Sequence, residues 1–159
     1  HLLLARLTDY VEIESGNKSR YLDFVSSTGT NRFEVEHIWA NHPEQFADEF
    51  PQPEQFLNYR NQIGGLLLLP KKFNASYSDA TYATKVKNYY KENLLAASLN
   101  PQCYEHNPGF MHFVKRSGLP FRPHETFNKA DMDDRGALYR KIADRIWDPE
   151  HLVREVLPL

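Results

Sequence analysis

The sequence predicts an α+β protein that is mostly helical, with two short strands and a helix near its centre. Residues 33–37, FEVEH, alternate apolar and charged side chains with the period of two that a half-buried strand requires. Residues 66–69 are four consecutive leucines between a Gly-Gly pair and Pro70, a run that suits a buried strand and is short for a helix. Residues 80–99 have helical composition, so the predicted order is strand, loop, strand, helix.

Before the second strand of the motif, the sequence predicts a helix, a further strand and a long loop. Leucines and Val11 recur at near-helical spacings in the first dozen residues, which predicts an amphipathic helix. Residues 21–25, YLDFV, are predicted as a strand. Residues 41–56 contain Pro43, Pro51 and Pro53, which predict a long loop with one short helix at most.

The segments after the second strand are predicted to be mainly helical. Asp79 is in place to cap the helix of residues 80–99. Residues 103–124 are predicted as a turn-rich connection that holds one short helix. The final helix is expected from about residue 133 to residue 147, because Asp-rich residues precede it and Asp148-Pro149 follows it.

The length of 159 residues suits one domain with a real core and is short for two. We therefore expect a single domain over residues 1–159. Its core motif would occupy residues 33–99, and its helical C-terminal part residues 100–159. Because the chain begins with His instead of Met, we expect it to be the C-terminal fragment of a longer protein.

Composition excludes several classes of protein. A net charge of −2 and an apolar fraction of 41% fit neither a disordered chain nor a histone-like one. Cys103 is the only cysteine, which excludes an internal disulfide or a multi-cysteine zinc site and favours a reducing compartment, here the cytoplasm. The longest apolar run, residues 66–69, is too short to span a bilayer, so no membrane association is expected.

Common catalytic signatures are absent from the sequence. It has no glycine-rich phosphate loop, no Gly-x-Ser-x-Gly elbow, no internal repeat and no heptad run. Metal and acid–base chemistry therefore become the leading candidates.

The residues at the two predicted strands suit phosphodiester hydrolysis. Imidazole has an unperturbed pKa of about 6.5, so His37 is a candidate general base near neutral pH. A hard cation such as Mg²⁺ or Mn²⁺ prefers oxygen ligands, which Glu36 and the amide of Asn74 would supply.

These motifs together resemble the HNH, or ββα-metal, nucleases, and within them the C-terminal nuclease domain of GmrSD-type restriction proteins. The matching stretches are VEHI at 35–38, RNQIGGLLLLPKKFN at 60–74, Lys85, and RGALYRKIADRIW at 135–147. The resemblance covers roughly residues 33–148. It implies that His37 is the general base, that Asn74 is the metal-side Asn and that Glu36 is a second ligand.

One position departs from the pattern of the resembled family. Relatives commonly read Gly-Asn-Leu where this chain has Gly64, Gly65 and Leu66. The Asn that steadies the catalytic loop is therefore missing at its usual place, and Asn61 is the expected replacement.

The resemblance also implies a function and its partners. It implies a metal-dependent DNA endonuclease that nicks DNA in restriction or phage defence. An N-terminal nucleotide-hydrolysing sensor domain of the same protein would be its partner. DNA-contacting residues are expected at Lys71, Lys72 and Lys85, which cluster around the predicted site, and at Arg135, which the resemblance favours.

Several alternatives stay open at the level of sequence. Glu36 has a second interpretation, a structural ion pair with an arginine, in which case Asp79 is the alternative second ligand. The histidines at 42, 106, 112 and 124 lack the spacing of a zinc site on a helix, and they are expected to be structural or to lie on the surface. Two other functions remain: a catalytically weak DNA-binding or partner-docking module with an HNH-like fold, and a structural domain with an aromatic surface around Tyr89 and Tyr90.

Overall fold

The computed structural model describes residues 1–150 of the chain. Its helices, in chain order, are α1 (Leu2–Glu14), α2 (Tyr21–Ser26), α3 (Pro53–Arg60), α4 (Lys71–Tyr77), α5 (Tyr82–Tyr89), α6 (Leu94–Ala97), α7 (Gln102–His106), α8 (Pro108–Ser117) and α9 (Lys129–Ile146). Short 3₁₀ turns lie at Gly29–Asn31, Pro43–Phe46 and Ile63–Gly65. The predicted α+β class with mostly helical content is confirmed.

The two predicted strands form an antiparallel pair. β1 (Phe33–His37) runs beside β2 (Leu66–Pro70), with His37 opposite Leu66 and Phe33 opposite Pro70. α4 follows β2 directly, so the centre of the chain is a strand–strand–helix unit. The ladder extends past β1, because the backbone N–H of Ile38 donates to the carbonyl of Gly65 at 2.9 Å.

The two strands separate two hydrophobic clusters, because successive strand side chains point to opposite faces. Leu68 lies in a cluster with residues of α1, α8 and α9, such as Leu4, Phe113 and Tyr139. Leu67 and Leu69 lie in a second cluster, which also contains Trp39, Phe56, Phe73 and Tyr89. Neighbouring residues of β1 are therefore placed in different surroundings.

α9 packs against the 3₁₀ turn that precedes β2 at very short range. A Cβ atom added to Gly64 would lie 2.1 Å from the carbonyl oxygen of Met132 and 2.6 Å from the backbone nitrogen of Gly136. This separation is below any that real Cβ atoms adopt, so only glycine fits at this point. The contact fixes the turn that connects α3 to β2.

The predicted strand at residues 21–25 is wrong, because this segment is helix α2. The carboxylate of Asp9 accepts hydrogen bonds from the backbone N–H of Arg20 at 2.6 Å and from the hydroxyl of Ser19 at 3.0 Å. Helix α2 begins directly after these contacts and directs Phe24 into the core. A distant carboxylate, rather than the local pattern, sets the conformation here.

The single helix predicted over residues 80–99 is two helices, α5 and α6, and Thr81 rather than Asp79 precedes the first. Asn93 caps α6 by accepting from the N–H of Ala96 at 3.0 Å, and it also donates to the carbonyl of Leu68 at 2.8 Å. These buried bonds explain the break between the two helices. Helix α4 and the division of residues 102–117 into α7 and α8 were not predicted.

The last helix begins earlier than the sequence pattern predicts. Asn128 and Asp131 form a reciprocal capping box, which starts α9 at Lys129 instead of residue 133. Residues 151–159 of the predicted domain lie outside the described residues. Within the described part of the chain, no helix has the length and apolar character needed to cross a membrane.

Candidate active site

His37 is the last residue of β1, and its ring is half-buried. Its Nε2 lies 2.8 Å from the side-chain oxygen of Asn61. Because an amide oxygen only accepts hydrogen bonds, Nε2 carries the proton in this contact and Nδ1 keeps its lone pair. The arrangement leaves one ring nitrogen able to accept a proton.

The surroundings of His37 favour the neutral imidazole. Burial lowers the pKa of His37 below the ordinary value of 6.5, and the charges of Arg60 and Lys85 lower it further. The hydrogen bond to Asn61 acts in the opposite direction but does not outweigh burial. His37 is therefore unprotonated near neutral pH, which a general base requires.

Asn61 reaches His37 because α3 ends beside β1. Asn61 is the residue that caps the C-terminus of α3, and it is exposed. The chain then turns through Ile63–Gly65, where Gly64 is held against α9, and enters β2. Asn61, the expected replacement for the missing Asn, is thus in direct contact with the His37 ring.

Glu36 points to the opposite face of β1 from His37. Its carboxylate is 3% exposed and accepts from Lys85 Nζ at 2.7 Å and from the hydroxyl of Tyr89 at 3.3 Å. The structural ion pair considered as an alternative is therefore present, with Lys85 as the partner instead of an arginine. The carboxylate is not free to serve as the predicted second metal ligand while this pair is intact.

Lys85 connects the ion pair to the end of β1. Its ammonium group, 1% exposed, also donates to the backbone carbonyl of His37 at 2.8 Å. Burial raises the pKa of Glu36 and lowers the pKa of Lys85, and the attraction between the two charges opposes both shifts. The pair fixes the backbone at the point from which the His37 ring extends.

Asn74 lies in α4, which packs against β1. Its Nδ2 donates to the carbonyl of Val35 at 3.3 Å, which fixes the orientation of the amide because that carbonyl only accepts. Its Oδ1 is buried and has no hydrogen-bond donor among the described residues. A buried amide oxygen without a partner is costly, and a cation or a water molecule would satisfy it.

The fit of these residues to a divalent cation rests on Asn74. Within residues 1–150, no group of three or more His, Cys, Asp or Glu side chains converges to hold a metal ion. Asp79, the alternative second ligand, is exposed. Asn74 Oδ1 is therefore the one predicted ligand atom in this part of the chain that is both buried and without a partner.

Comparison with protein families identifies the chain. A family model described as GmrSD restriction endonucleases, C-terminal domain, matches residues 2–142. The chain belongs to this family. Neither the comparison with curated proteins nor the comparison with solved structures gave a match. The predicted resemblance to the GmrSD-type C-terminal domain is confirmed, and the match also includes α1 and α2.

The predicted DNA-contacting residues of this GmrSD-family domain fall into two groups. Lys71 and Lys72 are exposed at the start of α4, close in sequence to Asn74. Lys85 is buried in its ion pair. Arg135 is 2% exposed and donates to the carbonyl of Leu95 and the hydroxyl of Ser98. Neither buried cation can reach a DNA backbone in this structure, so Lys71 and Lys72 remain as the accessible members of the set.

The other histidines considered from the sequence lie away from the His37–Asn61 contact. His42 is paired with Glu44 at 2.9 Å on the surface, and His106 and His112 are exposed. His124 is buried, with Nδ1 2.9 Å from Asp131, the residue that caps α9. Burial lowers the pKa of His124, and its role in this GmrSD-family domain is to hold the preceding loop against α9.

Sequence reasoning gave no role to Arg60, although it lies inside a matching stretch. Arg60 is half-buried at the end of α3, directly before Asn61. Its Nε donates to the carbonyl of Trp39 at 2.9 Å, two residues after His37. Its position next to Asn61 was the one available signal, because a side chain adjacent to a predicted site residue is itself a candidate.

Proposed function

We propose that this chain is an HNH-type endonuclease domain that hydrolyses phosphodiester bonds of DNA in a metal-dependent reaction and nicks one strand. Membership of a restriction endonuclease family supports hydrolysis of DNA. The observation that carries the catalytic assignment is the His37 ring, which Asn61 holds through Nε2 while Nδ1 keeps its lone pair. The strand–strand–helix unit supplies both His37 and Asn74.

In the proposed reaction, His37 Nδ1 removes a proton from a water molecule as the water oxygen attacks phosphorus. The bond between phosphorus and the 3′ oxygen breaks, the leaving 3′ alkoxide takes a proton from solvent water, and the strand is left with a 5′ phosphate and a 3′ hydroxyl. Asn61 keeps the ring in the orientation that presents Nδ1. A single site of this kind cuts one strand, so a monomer nicks.

Asn74 is the proposed holder of a Mg²⁺ or Mn²⁺ ion through Oδ1. Such an ion, when bound, supplies positive charge at the phosphate. Asn74 is suited to this role because Oδ1 is buried and unpartnered, while Nδ2 is anchored to Val35. Glu36 has a different proposed role, that of a strand anchor, because its carboxylate is already paired with Lys85.

The proposed biological setting is restriction or phage defence in the cytoplasm. DNA is the substrate, and an N-terminal nucleotide-hydrolysing sensor domain of the same protein is the proposed partner. The description of the family, which names restriction endonucleases and a C-terminal domain, supports the DNA substrate and a partner domain on the N-terminal side.

The first test is a plasmid-nicking assay. The chain is incubated with supercoiled plasmid and Mg²⁺, Mn²⁺ or a chelator, beside the His37→Ala and His42→Ala variants. We expect metal-dependent open circles from the native chain and from His42→Ala, because His42 pairs with Glu44 on the surface, away from the His37–Asn61 contact. His37→Ala should lose roughly 10²–10⁴-fold in rate, which is the usual contribution of a general base.

Full nicking by folded His37→Ala protein would overturn the catalytic assignment. A second candidate function is a catalytically weak DNA-binding module, and the pairing of Glu36 with Lys85 favours it because that pairing withholds one predicted metal ligand. This alternative predicts salt-sensitive retention of DNA without any metal-dependent product.

A further inference from the structure

Arg60 is held rigidly at the end of α3. Its Nε donates to the backbone carbonyl of Trp39 at 2.9 Å. That carbonyl is itself well fixed, because the Trp39 indole is buried, stacks on Phe56 with ring centroids 5.8 Å apart and donates to the carbonyl of Phe127 at 2.7 Å. This hydrogen bond anchors the guanidinium group through Nε and leaves its two terminal nitrogens unused.

The terminal nitrogens of Arg60 have no acceptor within residues 1–150. The guanidinium group carries five N–H donors, and the bond to Trp39 uses the one on Nε. No carboxylate of the described residues forms an ion pair with Arg60. The side chain is half-buried, so the remaining donors are partly desolvated without being enclosed.

Arg60 and Asn61 contact the end of β1 together. Asn61 holds the His37 ring, and Arg60 holds the carbonyl of Trp39, two residues further along the chain. Arg60 and Asn61 are adjacent in the chain, so a cation lies next to the residue that orients the proposed base. The same closeness is visible in the pKa of His37, which the charge of Arg60 helps to lower.

We propose that Arg60 binds the scissile phosphate beside His37 through its two terminal nitrogens and stabilises the negative charge that develops as water attacks. The planar fork of an arginine matches two phosphate oxygens, and a preorganised donor at a reacting centre stabilises the transition state more than the ground state. Arg60 would be the cation that contacts the phosphate, since Lys85 and Arg135 are buried and cannot reach it. This inference rests on the proposed nuclease function.

The test compares Arg60→Ala and Arg60→Lys with a matched control, Arg145→Ala. Arg145 also lies in the last turn of a helix and donates to a backbone carbonyl, that of Ser117, but it is exposed on α9. We expect Arg60→Ala to lower kcat for plasmid nicking roughly 100-fold, as the loss of one oxyanion donor does. Arg60→Lys should recover only part of this, because it keeps the charge and loses the fork, and Arg145→Ala should match the native chain.

Chemical rescue separates a catalytic role from a structural one. Millimolar guanidinium ion, which is far below a denaturing concentration, should raise the rate of Arg60→Ala and leave the native chain and Arg145→Ala unchanged. If Arg60 serves only to join α3 to β1, the melting temperature of Arg60→Ala will fall and guanidinium will not restore the rate. That result would overturn the proposal, as would a kcat for Arg60→Ala within threefold of native.

The outcomes distinguish this inference from the proposed function. If the native chain nicks in a metal-dependent and His37-dependent manner while Arg60→Ala is fully active, the function stands and the role of Arg60 is refuted. If the native chain gives no product with either metal, both proposals fail together.

Discussion

Glu36 and His37 are consecutive residues of β1, but the side chain of Glu36 is buried and that of His37 is only half-buried. Glu36 is buried in an ion pair with Lys85 and a hydrogen bond with Tyr89. His37 is half-buried, contacts the exposed Asn61 and keeps one ring nitrogen available. Strand alternation alone produces this division, because neighbouring side chains emerge on different faces.

Two consecutive residues of one motif can therefore have different roles: Glu36 stabilises the fold, and His37 is the proposed catalytic group. In the sequence, Glu-His looks like a single catalytic unit. In the structure, the charged pair on one face fixes the backbone from which the His37 ring extends on the other face, since Lys85 also donates to the carbonyl of His37. Substitutions on the two faces should therefore have different effects, on stability for the Glu36 face and on reaction rate for the His37 face.

Lys85→Met should give the largest loss of stability, because it leaves the Glu36 carboxylate buried without a cation. Removal of one partner of a buried ion pair costs about 3–5 kcal/mol in the free energy of unfolding. Urea denaturation of Lys85→Met beside Lys87→Met, an exposed lysine of the same helix α5, measures the difference.

The double variant Glu36→Gln/Lys85→Met checks the cause of that loss. Because both charges are then removed together, at least half of the stability lost in the single variant should return. A single variant as stable as Lys87→Met, or a double variant no better than the single one, would contradict the structural role of this pair.

Asn74→Ala should have the next largest effect, on the response to metal ions. Loss of the buried Oδ1 removes the proposed ligand, so the Mg²⁺ or Mn²⁺ concentration for half-maximal nicking should rise by roughly tenfold to 100-fold. Nicking rates over a metal titration measure this. Ser76→Ala, an exposed position in the same helix, is the matched control, and an equal metal requirement in both variants would exclude Asn74 as a ligand.

The pH dependence of nicking tests the proposed role of His37 as a general base. A general base must be unprotonated, so the native rate should fall as the pH drops through the His37 pKa, which burial places below the ordinary value of 6.5. In Asn61→Ala the hydrogen bond that raises this pKa is lost. The acid limb should therefore move to lower pH, while the maximal rate falls because the ring is no longer oriented.

Profiles of kcat against pH for the native chain and Asn61→Ala test this expectation. An acid limb that stays in place, or that moves to higher pH, would show that Asn61 does not act through the protonation of His37. An unchanged maximal rate would show that the ring does not need Asn61 for its orientation.

Lys72→Ala should have the smallest effect, because Lys72 lies on the surface near the site. Loss of one phosphate contact should weaken DNA binding and reduce the slope of log affinity against log salt by about one, with stability unchanged. Binding measured at several salt concentrations tests this, with Lys115→Ala on α8 as the control. Identical salt slopes in both variants would place DNA elsewhere on the surface.

Local patterns predicted those parts of the fold that local physics determines. The two strands followed from period-two alternation and from a short leucine run, and both were confirmed. Residues 21–25 were misassigned because the carboxylate of Asp9, distant in sequence, sets the start of α2. The break after α5 was missed for a similar reason, since Asn93 bonds to Leu68 in β2.

The candidate site was predicted only in part, because some of its features depend on contacts between distant parts of the chain. His37 and Asn74 were found because their residue types and positions match a known pattern, and their roles stay predictions. The burial of Lys85 and Arg135 could not be read from the sequence, because a lysine gives no local sign that its partner lies on a distant strand. Arg60 was overlooked because its importance comes from the fold of α3 beside β1.

The contact between Gly64 and α9 has a consequence for how this domain tolerates mutation. Since even a methyl group at Gly64 would overlap the backbone of Met132 and Gly136, position 64 is closed to substitution although it lies outside the reacting centre. The turn that follows Arg60 and Asn61 is thereby constrained together with α9, a helix that begins more than sixty residues further along the chain. Variation in α9 is therefore constrained by this turn, and a change that shifts α9 would alter the proposed chemistry without touching His37 or Asn61.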